Sequence, residues 1–496
     1  MTPSAADLIR VLPEIIWCGF GVLLMLLQPY LKNRQGLTLF AMVGAAVGTL
    51  ATYFGQMGTG FFGLIQFDTY SLFFHWLVGL VAFLVILASD SYLERENLAP
   101  AEFYALILFA TAGMGVLASA QELLTAFIGL EMSSISSYVL AGYRRDAVKS
   151  SESAVKYFLL GSFATAFFLY GIALVYGASG STNLAQIASA DASSNLLRLG
   201  LTLILVGLGF KVAAAPFQVW TPDVYEGAPT PVTALFSAGP KAATFALLLR
   251  IFTTIHAATD FWFWAFWILA VVTMFVGNLG ALVQTNVKRM LAYSSIAHAG
   301  YTLVAFAAVT TMKLDPETGA APAYAAVLFY LLGYSLVKVG AFTIVSEIGG
   351  QGERYLTLDD FRRPRHAAAV CRCSDDLVPA FPAGNADHGG ILRQVLRVQG
   401  GHQFEADLAG GADDDQHRDW RVLLSPRDRG DVHARTQGRC PCGSCHQPQP
   451  DSGNGGGSGG AGDALSGTPA QPRAWDCAIP KPDTLRAVVV FRFSLH

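Results

Sequence analysis

Three lysines in long apolar segments constrain this chain more than any other feature. Lys211 lies in VGLGFKVAAAPF, Lys241 in FSAGPKAATFALLL and Lys338 in LLGYSLVKVGAFTIV. Glu131, in FIGLEMSSISSYVL, adds an acid in a fourth apolar segment. A charged group at the centre of a membrane span costs at least about 2.5 kcal/mol, so such residues usually mark a path for ions or protons. The pattern predicts that these four groups form a proton relay within a membrane.

The composition also indicates an integral membrane protein. Of the 496 residues, 53% are hydrophobic and 14% are charged, whereas soluble domains carry about 25% charged residues. The net charge of -3 argues against a nucleic-acid partner. No basic region precedes the first apolar run and no A-x-A cleavage motif follows it, so we expect Leu8–Tyr30 to be a retained span.

Hydropathy predicts an all-α polytopic membrane protein with about eleven transmembrane helices, each needing about 20 apolar residues. Pro216 follows the short seventh span closely, so we expect that helix to break there. Basic residues concentrate in alternate loops, which places the N-terminus outside the cytoplasm by the positive-inside rule. The predicted spans are Leu8–Tyr30, Leu37–Tyr53, Ser71–Ser89, Phe103–Leu117, Leu123–Ala141, Ala154–Tyr176, Leu199–Val212, Val232–Ile251, Phe261–Val283, Met290–Val309 and Ala325–Val345.

The chain changes character after Phe361. Residues 362–496 are rich in Arg, His, Cys, Asp and Gly and contain no segment of membrane length. A disordered cytoplasmic tail is one interpretation. A frameshift is the favoured one, because codons for Gly389–Gly400 read one base later permit GFFGKFYVFK, and the same shift permits further membrane-like segments downstream. We therefore expect a transmembrane domain at 1–361 and an aberrant tail at 362–496, in which the C-x-x-C-H string at Cys442–His446 is neither a haem nor a zinc site.

Four segments of the transmembrane part resemble one protein family. WTPDVYEGAPTPV, within Phe210–Ala243, is the most specific string. The others are LEMSSISSYVLAGY (Leu130–Tyr143), VKRMLAYSSIAHAGY (Val287–Tyr301) and LLGYSLVKVGAFTIV (Leu331–Val345). Together they resemble subunit N of the bacterial proton-pumping NADH:quinone oxidoreductase, respiratory complex I. The resemblance extends over nearly all of residues 1–361 and favours subunit N over its sister subunits L and M and over sodium/proton antiporter subunits.

The resemblance implies an antiporter-like fold of about fourteen helices, built as an inverted repeat of five-helix units that each contain one broken helix. The first unit would comprise the fourth to eighth spans and would break near Pro216. The second would begin with the ninth span and would need a broken twelfth helix with its own lysine. In the shifted frame, the codon for that lysine straddles Gln394 and Val395.

The resemblance also implies roles for the acid and the first lysine. Glu131 and Lys211 would form an ion pair whose opening and closing controls the proton affinity of the lysine, because a nearby carboxylate raises a lysine pKa and burial lowers it. A static structural salt bridge is the alternative. Lys156 is a candidate second partner for Glu131, or a side chain that extends to the lipid headgroups.

The remaining relay residues implied by the resemblance are Lys241, His298 and Lys338. His298, in SSIAHAGY, would lie between the two lysines in a central polar axis. Histidine titrates near neutral pH, which suits a water-linked relay. The alternative is a histidine that is merely hydrogen-bonded within an apolar helix.

The expected function is that of a translocase subunit in the bacterial inner (plasma) membrane, driven by quinone reduction elsewhere in complex I. The sequence has no dinucleotide fingerprint and no iron–sulfur cysteine set, so we expect no cofactor in this chain. NADH, FMN, iron–sulfur clusters and quinone would belong to partner subunits, and the neighbours would be other antiporter-like and small membrane subunits. The alternatives are a sodium/proton antiporter subunit and a non-pumping scaffold subunit.

Overall fold

A computed structural model describes residues 4–30, 33–191, 194–255, 259–311 and 322–361. The predicted aberrant tail at 362–496 lies outside these residues, so the division into two domains stays a prediction. The described part consists of helices joined by short connections, with one small antiparallel hairpin between β1 and β2.

The described helices and strands follow one another in a simple order along the chain. Most of the helices are long, and the short elements lie in the connections between them. Their bounds are α1 Ala5–Arg10, α2 Leu12–Leu27, α3 Arg34–Ala51, β1 Gly58–Gly60, β2 Ile65–Phe67, α4 Thr69–Arg95, α5 Pro100–Ser119, α6 Leu123–Ala141, α7 Val148–Ser179, α8 Leu184–Ala188, α9 Asn195–Val212, α10 Trp220–Gly227, α11 Thr230–Thr254, α12 Thr259–Leu282, α13 Val287–Thr311, α14 Pro322–Gly349 and α15 Leu358–Phe361.

The predicted spans all correspond to helices, which confirms the predicted fold class. In the part of the chain that the structure describes, 10 helices are long and apolar enough to cross a membrane. The first predicted span is too short to count among them, because the helix is interrupted at Val11 and α2 is only 16 residues long, with Pro13 in its first turn. Proline is favoured at the first helical positions, where its missing N–H is not needed.

The seventh span breaks where the sequence predicts. The α9 helix ends at Val212, Ala213 takes a left-handed conformation with φ 60, and the chain resumes as α10 beyond Pro216. Helix α12 satisfies one backbone group at the break, because the Ala215 N–H donates to Thr273 Oγ1 at 2.9 Å. A break inside a membrane is tolerated only where protein or water covers it.

The α11 helix lies at the centre of the bundle. Every residue in its most apolar window is buried, and it packs against α4, α5, α13 and α14. Because no face of α11 is left for lipid, Lys241 near its middle has to find partners inside the protein.

The two ends of the bundle differ in their charged groups. One end, here called the Glu353 end, carries Glu353, Arg144 and Lys288, which lie close together. The opposite end, here called the Asp68 end, carries the hairpin and an ion pair between Asp68 and Arg250. The basic loops used for the positive-inside prediction lie at the Glu353 end, which is therefore predicted to face the cytoplasm.

Candidate proton-transfer site

Lys211 is buried in the last turn of α9, with 5% of its surface exposed. Its ammonium donates to the hydroxyl of Tyr138 at 3.3 Å. It also lies 5.0 Å from the ring centre of Tyr138 and 5.2 Å from that of Tyr157. Cation–π contacts of this kind are worth about 2 kcal/mol when the cation is desolvated. Two aromatic rings thus partly replace water around the charge.

Glu131 lies on α6, two turns before Tyr138, and its carboxylate accepts a hydrogen bond from Thr165 Oγ1 at 2.9 Å. Among the described residues, none of its oxygens comes within the 4.0 Å ion-pair distance of the Lys211 ammonium. The structure therefore brings the acid and the lysine to neighbouring helices without a direct contact, and the predicted ion pair stays a prediction.

Gly161 makes room for the tyrosine that binds Lys211. A Cβ atom at this position of α7 would clash with the Tyr138 hydroxyl, because the two atoms would lie well inside non-bonded contact distance. The absence of a side chain at Gly161 thus allows Tyr138 to place its hydroxyl next to Lys211.

Lys241 bonds to α13 rather than to an acid. Its ammonium donates to the Ser295 hydroxyl at 2.6 Å and to the Ser295 carbonyl at 3.0 Å. The Ser295 hydroxyl in turn is hydrogen-bonded to the Tyr334 hydroxyl at 2.6 Å. One continuous line of hydrogen bonds therefore joins α11, α13 and α14 around a lysine that is 2% exposed.

Lys338 lies on the other side of the same tyrosine. Its ammonium donates to Ser294 Oγ at 3.0 Å and to the Leu291 carbonyl at 3.3 Å. It also lies 5.8 Å from the ring centre of Tyr334. Tyr334 thus contacts Lys338 with its ring, while its hydroxyl faces the serine that binds Lys241.

His298 belongs to the same group of side chains. Its Nδ1 is hydrogen-bonded to the Tyr330 hydroxyl, and its ring centre lies 5.2 Å from that of Tyr334. The structure thus places three predicted relay residues around one tyrosine. These side chains are called the Tyr334 cluster and comprise Lys241, Ser294, Ser295, His298, Tyr330, Tyr334 and Lys338.

Lys156 is placed away from Glu131. It forms ion pairs with Glu152 at 2.7 Å and with Asp223 at 2.8 Å. Glu131 is not among its described contacts, so a partnership between Lys156 and Glu131 stays a prediction. Together with neighbouring charges it lines a cleft of about 180 Å³ at the Glu353 end, whose charged residues are Lys149, Glu152, Lys156, Asp223, Glu226 and Arg289.

Sequence reasoning did not identify Lys288 as a buried side chain. The side chain is fully buried and donates to the Ala228 carbonyl at 2.6 Å and to Glu353 at 3.0 Å. Lys288 and Arg289 point to different partners, because adjacent residues on a helix face in different directions. The adjacent pair in VKRML was visible in the sequence, but nothing in it showed which residue faces inward.

Glu353 contacts Thr230 of α11, Lys288 of α13 and Arg144 in the connection between α6 and α7. It accepts hydrogen bonds from the N–H of Thr230 at 2.8 Å and from the Thr230 hydroxyl at 2.6 Å, and it lies 3.5 Å from Arg144. Burial raises the pKa of the Glu353 carboxyl, but the charge of Lys288 and the hydrogen bonds outweigh it and hold the pKa below its usual value. The carboxylate also caps the N-terminus of α11.

The described residues contain no group of three or more His, Cys, Asp or Glu side chains placed to hold a metal ion. What they do contain is a row of buried amines bonded to hydroxyl groups and aromatic rings. Hydroxyl groups both donate and accept hydrogen bonds, so this arrangement is chemically able to pass protons between amines.

These features define an antiporter-like helical membrane protein. The family described as "NADH:quinone oxidoreductase/Mrp antiporter, TM" matches residues 120–365. NADH-quinone oxidoreductase subunit N 2 of Koribacter versatilis is 49% identical over 371 residues, which cover 72% of this chain and 73% of the relative. Subunit N of Trichlorobacter lovleyi is 45% identical over 376 residues, covering 73% and 75%. The chain belongs to the NADH-quinone oxidoreductase subunit N family.

Solved structures agree with this assignment. A chain of respiratory complex I from Thermus thermophilus is 34% identical, with a TM-score of 0.57 and coverage of 77% of this chain and 85% of that chain. A chain of the Mrp complex from a Dietzia species, at 22% identity and a TM-score of 0.57, shares the fold alone, covering 70% and 65%. The predicted family and a multi-pass bacterial membrane location are confirmed.

Proposed function

We propose that this chain translocates protons across the bacterial inner membrane as a subunit of an NADH-quinone oxidoreductase complex. The names of its relatives and its antiporter-like domain support this proposal. Electron transfer from NADH to quinone would take place in partner subunits that hold FMN and iron–sulfur clusters. The neighbouring membrane subunits and the lipid bilayer would surround this chain.

The observation that carries the proposal is the hydrogen-bonded line from Lys241 through Ser295 to Tyr334, with Lys338 beside it. A hydroxyl group donates one hydrogen bond while it accepts another, so it can take a proton from one side and release one to the other. Two ammonium charges close together in a desolvated interior repel each other strongly. The line is therefore suited to a proton that moves between the lysines rather than to two permanent charges.

Lys211 would exchange its proton through a change of partner. In the structure it contacts Tyr138 and two aromatic rings, and Glu131 bonds to Thr165. We propose that a second arrangement brings Glu131 to Lys211, and that the arrangement described here is the one from which the lysine releases its proton. A carboxylate in contact with an ammonium holds the proton there, and separation removes that attraction.

The test is a Lys241→Ala variant in the complete complex in sealed vesicles, with proton pumping and NADH oxidation measured together. Positioned proton-transfer groups contribute about 10²–10⁴-fold, so we expect pumping to fall at least tenfold and coupled oxidation to fall with it. Lys149→Ala is the matched control, because this lysine is 77% exposed and outside the Tyr334 cluster. Unchanged pumping in Lys241→Ala would favour a scaffold, and sodium transport without NADH oxidation would favour an antiporter.

A further inference from the structure

A buried pair of titratable groups lies outside the row formed by Lys211, Lys241 and Lys338, here called the lysine row. Glu14 on α2 and His75 on α4 approach to 2.7 Å between Oε1 and Nε2, although 61 residues separate them in the chain. Their side chains are 8% and 0% exposed, respectively. Nothing in the proposed relay uses them.

The hydrogen bonds of His75 determine where its protons lie. Its Nδ1 is 2.7 Å from the carbonyl oxygen of Ser71, and a carbonyl can only accept, so Nδ1 carries a hydrogen. If Nε2 and the Glu14 carboxylate were both unprotonated, two lone pairs would face each other at hydrogen-bonding distance. A proton must therefore lie between them, on either the nitrogen or the oxygen. With that proton in place the pair has no net charge.

The packing around the pair encloses the proton. The Trp17 ring stacks on the His75 ring with centres 6.1 Å apart, and Phe67 lies 6.0 Å from it. A Cβ atom at Gly115 would lie 2.9 Å from Glu14 Oε1 and 3.2 Å from His75 Nε2, so α5 approaches the pair with its backbone. A charge in such an apolar site is costly unless it is paired, which favours the neutral, protonated pair.

The surroundings separate the pair from the lysines. Cys18 on α2 and Arg250 on α11 are the titratable or charged groups that act on the pair from its neighbours. Arg250 itself is held by Asp68 at the end of α4, with bonds of 3.0 and 3.1 Å. Helix α5 lies between the two sites, because Gly115 faces the pair while the preceding Met114 contacts α11 near Lys241.

We propose that Glu14 and His75 form a proton-binding site whose bound proton joins helix α2 to helix α4 at the Asp68 end. The ligand is a hydrogen ion, held between one carboxyl oxygen and one imidazole nitrogen. The site keeps its proton across the neutral pH range, because loss would leave a buried, unpaired negative charge. It does not depend on the lysine row.

Solid-state NMR of the complete complex, with this chain labelled with ¹⁵N-histidine and ¹³C-glutamate, tests the proposal. We expect a protonated His75 Nδ1, and an Nε2 that is close to the Glu14 carboxyl carbon and whose signal stays constant across neutral pH. Glu14→Gln removes the labelled carboxyl group, so the contact signal between Nε2 and the carboxyl carbon should disappear. Glu122→Gln is the matched control, since Glu122 is also buried but caps α6 at Thr125.

His75→Gln assigns the signal, and the expected result is its disappearance. An unprotonated Nδ1, or an unprotonated Nε2 facing an ionised Glu14 carboxylate, would overturn the proposal. If either variant fails to assemble, the ¹⁵N–¹³C distance in the unaltered chain decides, because absence of a short Nε2-to-carboxyl distance also overturns it. Pumping is not the readout, so the result is independent of whether the lysines carry protons.

Discussion

Two groups of buried lysines in this chain are bonded in different ways. Within the described residues, Lys211, Lys241 and Lys338 have hydroxyl, carbonyl or aromatic partners and no carboxylate within 4.0 Å. Lys288 at the Glu353 end is at least as buried, yet it forms an ion pair with Glu353 at 3.0 Å. Burial alone therefore does not distinguish a proton carrier from a structural cation.

The kind of partner determines whether a buried lysine can change its charge. A carboxylate partner stabilises the ammonium form and fixes it, whereas neutral partners accept either form with little rearrangement. The lysine with the acid should therefore matter for stability, and the lysines with hydroxyl partners should matter for transport.

The largest loss of stability is expected for Glu353→Ala. Removing one member of a buried ion pair leaves an uncompensated charge and costs about 3–5 kcal/mol. The substitution also removes the cap that Thr230 donates to at the start of α11. Thermal unfolding of the purified full chain in detergent would measure the loss. Glu347→Ala is the control, because Glu347 is 30% exposed and 3.7 Å from Arg95, and it should change little.

A much smaller stability change is expected for Lys241→Met, despite the complete burial of the side chain. Methionine fills a similar volume, the Ser295 hydroxyl keeps its hydrogen bond to Tyr334, and the Ser295 carbonyl lies within helix α13, where the backbone supplies a donor. The cost should be about 0.5–1.5 kcal/mol, the net value of an ordinary hydrogen bond. The same unfolding measurement applies. A loss as large as that of Glu353→Ala would show that the two groups of lysines do not differ as argued.

An intermediate loss of stability, together with an effect on transport, is expected for Gly161→Ala. The new methyl group must displace the Tyr138 hydroxyl from its position beside Lys211, and such overpacking typically costs about 1–3 kcal/mol. Pumping by the complete complex should fall because Lys211 loses its hydroxyl partner. Gly333→Ala is the matched control: no atom lies within 4 Å of the added carbon, so both stability and pumping should persist.

The sequence was sufficient to predict the helices but not all of their contacts. Apolar runs predict spans because lipid requires a continuous hydrogen-bonded helix. The predicted span Leu123–Ala141 has the same first and last residues as α6. The grouping of Lys241, His298 and Lys338 came from the family resemblance. Ser295 and Tyr334 were not predicted as partners, because hydroxyl residues occur at many positions in helices and only the packing determines which of them contact the lysines. Glu353 was also missed, since its partners lie more than a hundred residues away or on other helices.

The smallest expected effect is the acid dependence that Glu353 confers. Its pKa in the folded chain is below the unfolded value of about 4.3, so the unfolded form binds protons first as the pH falls. The stabilisation is fully present above that value and is lost progressively as the pH drops through the lower, folded pKa. The unfolding temperature should therefore decline in this acid range in the unaltered chain, and the decline should be shallower in Glu353→Gln. Parallel declines in both chains would mean that carboxyl groups other than Glu353 determine the loss of stability in acid. The contrast between the two kinds of lysine would then lose its electrostatic basis.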